Sequence, residues 1–151
     1  MMDTALVGSI DAVTRRRLVT VSADALIPQV AKLLSDTPGS LVVVCSPGEA
    51  MAGIITKTDI VRKIGDCSGA VGSMAAADVM TREVIHCHPE DSLEEVLGIM
   101  KQHSLVHVPV VDARSRPAGV MEARDALRAL MGHASYEISL LRDYIMGVGY
   151  R

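Results

Sequence analysis

Gly53–Val61, GIITKTDIV, reads as the end of a strand running into the start of a helix. Thr56 stands at the boundary and Asp59 follows three residues on. That is the spacing of an N-terminal cap: the hydroxyl accepts an orphan backbone N–H and the acid sits in the first turn. The same hydroxyl and carboxylate would also suit a ribose and its phosphate. Nine residues alone do not decide between the two, but they have a second copy. GVMEARDAL, Gly119–Leu127, keeps the glycine and the aspartate at the same spacing.

The duplication extends over most of the chain. At an offset of 67, Asp11, Thr14 and Arg15 fall on Asp78, Thr81 and Arg82, and Asp24 and Leu26 fall on Asp91 and Leu93. Val43 and Val44 fall on Val110 and Val111. Dropping one residue in the next loop makes the offset 66, and Gly53 and Asp59 then fall on Gly119 and Asp125. Self-similarity at a fixed spacing marks a repeat architecture.

Each copy reads as β-α-β-β-α. The first strands are LVTV near 18–21 and VIHC near 84–87. A helix follows each, announced by Asp24 and Asp91, the latter with Glu94 as a variant capping box. The apolar faces are Leu26, Val30, Leu33, Leu34 and Leu93, Val96, Leu97, Met100. Pro28 lies in the first turn, where proline costs least. Strand pairs are expected at 41–45 with 52–56 and at 106–111 with 117–121, and closing helices at 57–65 and 123–131. Residues 65–75, GDCSGAVGSMA, read as a linker. The units are 10–66 and 76–132.

In order, DVMTREV (78–84), HPEDSLEEVLGIM (88–100), HVPVVD (107–112) and GIITKTD (53–59) resemble the motifs of the cystathionine-β-synthase-type (CBS) domain, here as a tandem pair or Bateman module. The resemblance implies an α+β fold, with two units packed sheet against sheet about a pseudo-twofold axis and two clefts between them. It also implies a regulatory module that binds adenosine-containing ligands: AMP, ADP, ATP, S-adenosylmethionine or NAD. No cofactor is required, and a homodimer is expected.

Carried over by resemblance, one cleft uses Thr56 and Asp59, with Val84 and Ile85 against the adenine and His107 at the phosphate. The chemistry suits the residues. An ionised carboxylate accepts from two vicinal hydroxyls, and a helix start favours an anion. The second cleft would use Arg17, Leu18, Ser40, Glu122 and Asp125. There Glu122 replaces the hydroxyl residue, and its charge would oppose a phosphate unless an arginine neutralises it. Ser40 takes the place of His107. The alternative reading is a structural or dimerisation module whose clefts have lost their ligands.

The rest of the sequence narrows the classes. Net charge is −3, Phe and Trp are absent and there are three Tyr, so neither a basic field nor stacking platforms point to nucleic acid. No apolar run reaches the roughly 18–20 residues of a membrane span, and the N-terminus lacks a basic signal region. Cys45, Cys67 and Cys87 are too few and too irregular for a disulfide framework, so the expected compartment is the cytoplasm. A phosphate loop of Walker type, a nucleophile elbow and a metalloprotease helix are all missing, and the expectation is not an enzyme but a module acting on a separate protein. His86 and His88 share a strand face, a pattern that can hold a metal but is expected here to be plain surface. Residues 135–151 carry an apolar stripe, Tyr136, Leu140, Leu141, Tyr144 and Ile145, read as a C-terminal helix that supports the dimer.

Overall fold

The computed structural model describes residues 5–36, 41–67 and 69–131. Ser40 and the stripe at 135–151 lie outside the described residues. The first unit comprises α1 (Asp11–Arg16), β1 (Thr20–Ser22), α2 (Ile27–Asp36), β2 (Leu41–Cys45), β3 (Met51–Thr56) and α3 (Lys57–Cys67). The second comprises α4 (Ala76–Val79), α5 (Leu93–Gln102), β4 (His107–Val111), β5 (Pro117–Glu122) and α6 (Ala123–Leu130). In the first sheet β1 runs parallel to β2 and β3 antiparallel to it, in the order β1-β2-β3. In the second, β4 and β5 pair antiparallel. The short helices α1 and α4 lead into each unit and were not expected from the sequence.

The strand expected at 84–87 is reduced to a single bridge, Cys87 to Val110. In the first unit the Val43 N–H donates to Val19 O at 2.9 Å. Val43 pairs with Ile54 as Pro109 pairs with Val120, so Pro109 holds the equivalent position. It has no N–H to give. What survives is the Cys87 N–H to Pro109 O at 3.0 Å and the Val111 N–H to Cys87 O at 2.9 Å.

The same registers correct the alignment. Val44 pairs with Gly53 as Val110 pairs with Gly119. The counterpart of Val44 is therefore Val110, not Val111, and the dropped residue lies before the first strand, not after the second. Identity could not place it, because a run of valines matches itself one residue out. Two readings change with it. Leu41, opposite Thr56, takes the place of His107, opposite Glu122, so Ser40 does not. In α2 the buried face is Ile27, Val30 and Leu34, while Leu26 is exposed. At α5 the cap is Ser92, whose hydroxyl accepts the Glu95 N–H at 3.3 Å. Asp91 accepts the His88 N–H in the turn before it. The expected face of Leu93, Val96, Leu97 and Met100 is buried.

Each lead-in segment packs on the other unit. Residues 5–10 join the core of the second unit, where Val7 and Ile10 meet Leu93, Leu97 and Leu127. Residues 71–80 join the first core, with Ala76, Met74 and Met80 against Ile27, Val30 and Ile55. The exchange is reciprocal: the Leu93 N–H donates to Ala5 O, and the Ile27 N–H to Met74 O. Residues 70–73, expected as open linker, form a 3-10 turn, and Val71 packs on the first core. Between the sheets, Leu41 and Val43 of β2 meet Val120 of β5. Cys45 and Cys87 are free thiols. Burial pushes the Cys87 thiol up to about 12, so it stays protonated and packs as an apolar group.

The two motif glycines make the exchange possible. A Cβ on Gly53 would lie 2.5 Å from Thr81 O, and one on Gly119 would lie 2.8 Å from the Thr14 backbone. Gly53→Ala should therefore force the second lead-in away from β3 and cost about 1–3 kcal/mol, read as a shift in the urea unfolding midpoint. An unchanged midpoint would show that the crossing is loose.

Candidate functional site

At the end of β3 the chain answers its opening question in one direction. The Asp59 N–H donates to Thr56 Oγ1 at 3.2 Å, and the Thr56 N–H donates to Asp59 Oδ2 at 2.9 Å. This is a complete reciprocal capping box. A third contact goes beyond a cap. The Thr81 hydroxyl, from the other unit, donates to Asp59 Oδ1 at 3.3 Å. Arg62 approaches the same oxygen at 3.8 Å from an exposed position. Asp59 thus ties its own helix start to the opposite lead-in.

Thr81 is also on the rim of a cleft of ≈ 190 Å³. Val84, Ile85 and His107 line it, so three of the five residues named for the first cleft converge. Thr56 and Asp59 are not on its wall; they stand behind Thr81. The sequence reading missed Thr81, Ile54, Glu83, Leu105 and Pro109 as lining residues. Two signals were available. Thr81 lies inside DVMTREV, and Ile54 shares a strand face with Thr56 by the two-residue alternation.

The second cleft contains its own cation. The Arg17 guanidinium donates to both oxygens of Asp125, from Nε at 2.6 Å and from Nη2 at 3.0 Å. Its Nη1 donates to Glu122 Oε2 at 3.0 Å. Asp125 is 6% exposed, and its hydrogen bond holds the Arg17 pKa above the usual arginine value. Leu18 packs beside Leu41 and Val120. The side chain of Glu122, unlike that of Thr56, makes no cap to its helix. It turns instead to Arg17 and to His107, whose Nε2 lies 3.3 Å from Glu122 Oε2. The arginine that could neutralise Glu122 is therefore Arg17, and Glu122 is not an unopposed charge.

The two histidines before α5 are held by main-chain oxygens. His86 Nδ1 lies 3.0 Å from Val84 O and His88 Nδ1 lies 3.0 Å from Val111 O, with the rings edge to face. Among the described residues no group of three or more His, Cys, Asp or Glu is placed to hold a metal. A wider cleft of ≈ 520 Å³ lies at the far end of β2, between Ser22, Ser46 and Arg116, and no sequence signal marked it. Its charged groups, Glu49 and Arg116, are exposed.

Arg17→Ala would leave a buried carboxylate without a partner. Because Arg17 keeps 23% side-chain exposure, the cost should fall near the lower end of the range for breaking a buried pair, roughly 3 kcal/mol by urea unfolding. A loss under about 1 kcal/mol would mean that the pair is effectively solvated.

A family model for the CBS domain matches residues 7–66 and 76–132. The CBS domain-containing protein CBSX3, mitochondrial, of Arabidopsis thaliana is 33% identical over 131 residues, which cover 84% of this chain and 62% of that protein. The chain spans 20–24% of the archaeal homoserine O-acetyltransferases it also matches. Two solved structures share the fold. The CBS domain pair of protein MJ0100, in complex with 5-methylthioadenosine and S-adenosyl-L-methionine, superposes with a TM-score of 0.70 at 24% identity, covering 87% of this chain and 100% of that one. CBSX2 in complex with AMP gives 0.71 at 17% identity, covering 84% and 96%. With both copies matched and each lead-in packed on the opposite unit, the chain belongs to the CBS-domain family.

Proposed function

We propose that this CBS pair is a regulatory module whose first cleft binds an adenosine derivative carrying phosphate, AMP being the simplest. The observation that carries the reading is the Thr81–Asp59 hydrogen bond. It ties a carboxylate of one unit to Thr81, which lines a cleft walled by Val84, Ile85 and His107 of the other. At ≈ 190 Å³ the cleft is smaller than sites that enclose a whole drug-sized ligand. It suits a base between Val84, Ile85 and Ile54, with ribose and phosphate at the mouth. There Asp59 accepts from the ribose hydroxyls. The Thr56 hydroxyl accepts a backbone N–H with its oxygen and still has a proton to donate to phosphate. His107 lies on the same wall. The solved CBS pairs with AMP and with S-adenosyl-L-methionine support adenosine as the ligand class.

The second cleft is read as closed to nucleotides. Ribose hydroxyls would have to displace a bidentate guanidinium from Asp125. This agrees with the alternative of degenerate clefts for one of the two. The module is proposed to act in trans on another protein and to bind rather than convert its ligand. A homodimer belongs to the same reading. Val61 and Ile64 on α3 are exposed, while Leu127 and Leu130, their counterparts on α6, are buried. Light scattering at micromolar concentration should report a dimer, and a monomer would remove that part. Among the described residues no helix is long and apolar enough to cross a membrane.

Calorimetric titration tests the site. Asp59→Ala removes charged hydrogen bonds to ribose, each worth roughly 1.5–3 kcal/mol, so AMP affinity should fall at least about tenfold. The same change removes half of a capping box and should cost about 0.5–2 kcal/mol of stability. Unchanged AMP affinity in Asp59→Ala would reject the assignment. Failure of the wild type to bind any adenine ligand would leave GIITKTDIV as a helix cap alone.

A further inference from the structure

We infer that Arg17, a residue of the second cleft, sets how well the first cleft accepts a phosphate. The inference rests on the adenine-nucleotide reading above. Glu122 Oε2 is shared, 3.0 Å from Arg17 Nη1 on one side and 3.3 Å from His107 Nε2 on the other. His107 lines the first cleft, so a carboxylate of the second stands directly behind its phosphate ligand. The side chains of Glu122 and Asp125 are 14% and 5% exposed, and water screens them poorly.

The charges decide the outcome. Behind His107 stand two carboxylates and one guanidinium. With Arg17 in place, one negative charge is cancelled and the Glu122 carboxylate is held by a donor. Without it, both carboxylates are uncompensated, and Glu122 is left both to repel an incoming phosphate and to compete with it for His107. Glu83, exposed at the cleft edge, adds a further negative charge there. Arg17 is therefore a positioning and compensating residue for a ligand it does not touch. Its effect is specific to charge: a phosphate-bearing ligand depends on it, whereas the same nucleoside without phosphate does not. A role confined to propping up the fold would weaken both ligands alike.

The test is calorimetric titration of AMP and of adenosine into wild type, Arg17→Ala, Glu122→Gln and the double variant. The expected result is a fall of about tenfold or more in the AMP-to-adenosine affinity ratio for Arg17→Ala. Glu122→Gln should raise that ratio above wild type, and the double variant should recover most of the Arg17→Ala loss. A ratio unchanged in Arg17→Ala, with AMP still bound, overturns the inference and leaves the nucleotide reading standing. If Arg17→Ala does not fold, as judged by circular dichroism, Glu122→Gln decides alone: a raised ratio supports the inference and an unchanged ratio overturns it. If wild type binds neither compound, the nucleotide reading fails and the inference falls with it.

Discussion

The fold depends on one close approach made twice. The Ile54 N–H donates to Thr81 O at 3.0 Å, and the Thr81 N–H returns to Ile54 O at 2.8 Å. This pair of bonds passes beside Gly53, where any side chain would stand between the strands. On the other side Thr14 presses on Gly119 in the same way. Both cores need the crossing, because each is completed by apolar residues from the other unit's lead-in. A single unit would leave its helix and sheet faces open to water. The cleft follows from the crossing, since its rim residue, Thr81, is brought to Asp59 by the same two backbone bonds.

The duplicated carboxylates show how one position takes different roles in two environments. Asp59 and Asp125 hold the same place after their glycines. Beside Asp59 is a threonine, and its hydroxyl completes a cap that leaves the carboxylate able to accept further bonds. Beside Asp125 is a glutamate, which cannot donate, and the local excess of negative charge is met by Arg17. The guanidinium fork matches a carboxylate with two bonds, so both oxygens of Asp125 are engaged by one cation. Thr56 against Glu122, and Glu83 against Arg17, thus separate a carboxylate held in a helix cap from one held by an arginine.

The second sheet shows a similar dependence on a single backbone group. Pro109 removes one donor, and a strand that is regular in the first unit shrinks to a bridge in the second. Val84 and Ile85 are left outside any ladder, on the wall of the cleft. Their backbone is free of strand partners there, and their side chains supply the apolar surface.

The sequence by itself determined the duplication, the β-α-β-β-α plan, most strand and helix limits and the cap at Thr56 and Asp59. These follow from local periodicity and short-range hydrogen bonding, which neighbouring residues carry. It did not determine where the repeat loses a residue, because two of the three valines Val42, Val43 and Val44 fall on valines in either register and only ladder pairing separates them. Nor did it show the exchanged lead-ins, since apolar residues such as Val7 and Ala76 announce that they are buried but not against which unit. Val84, Ile85 and His107 could be named from motifs, and Thr81 lies in the same DVMTREV stretch, yet its bond to Asp59, 22 residues away in the chain, appears only in the fold. The resemblance places Arg17 in the second cleft, but only tertiary structure sets its guanidinium on Asp125, 108 residues distant. Charge pairing over such separations depends on how two units pack, and packing is a property of the assembled core rather than of any segment.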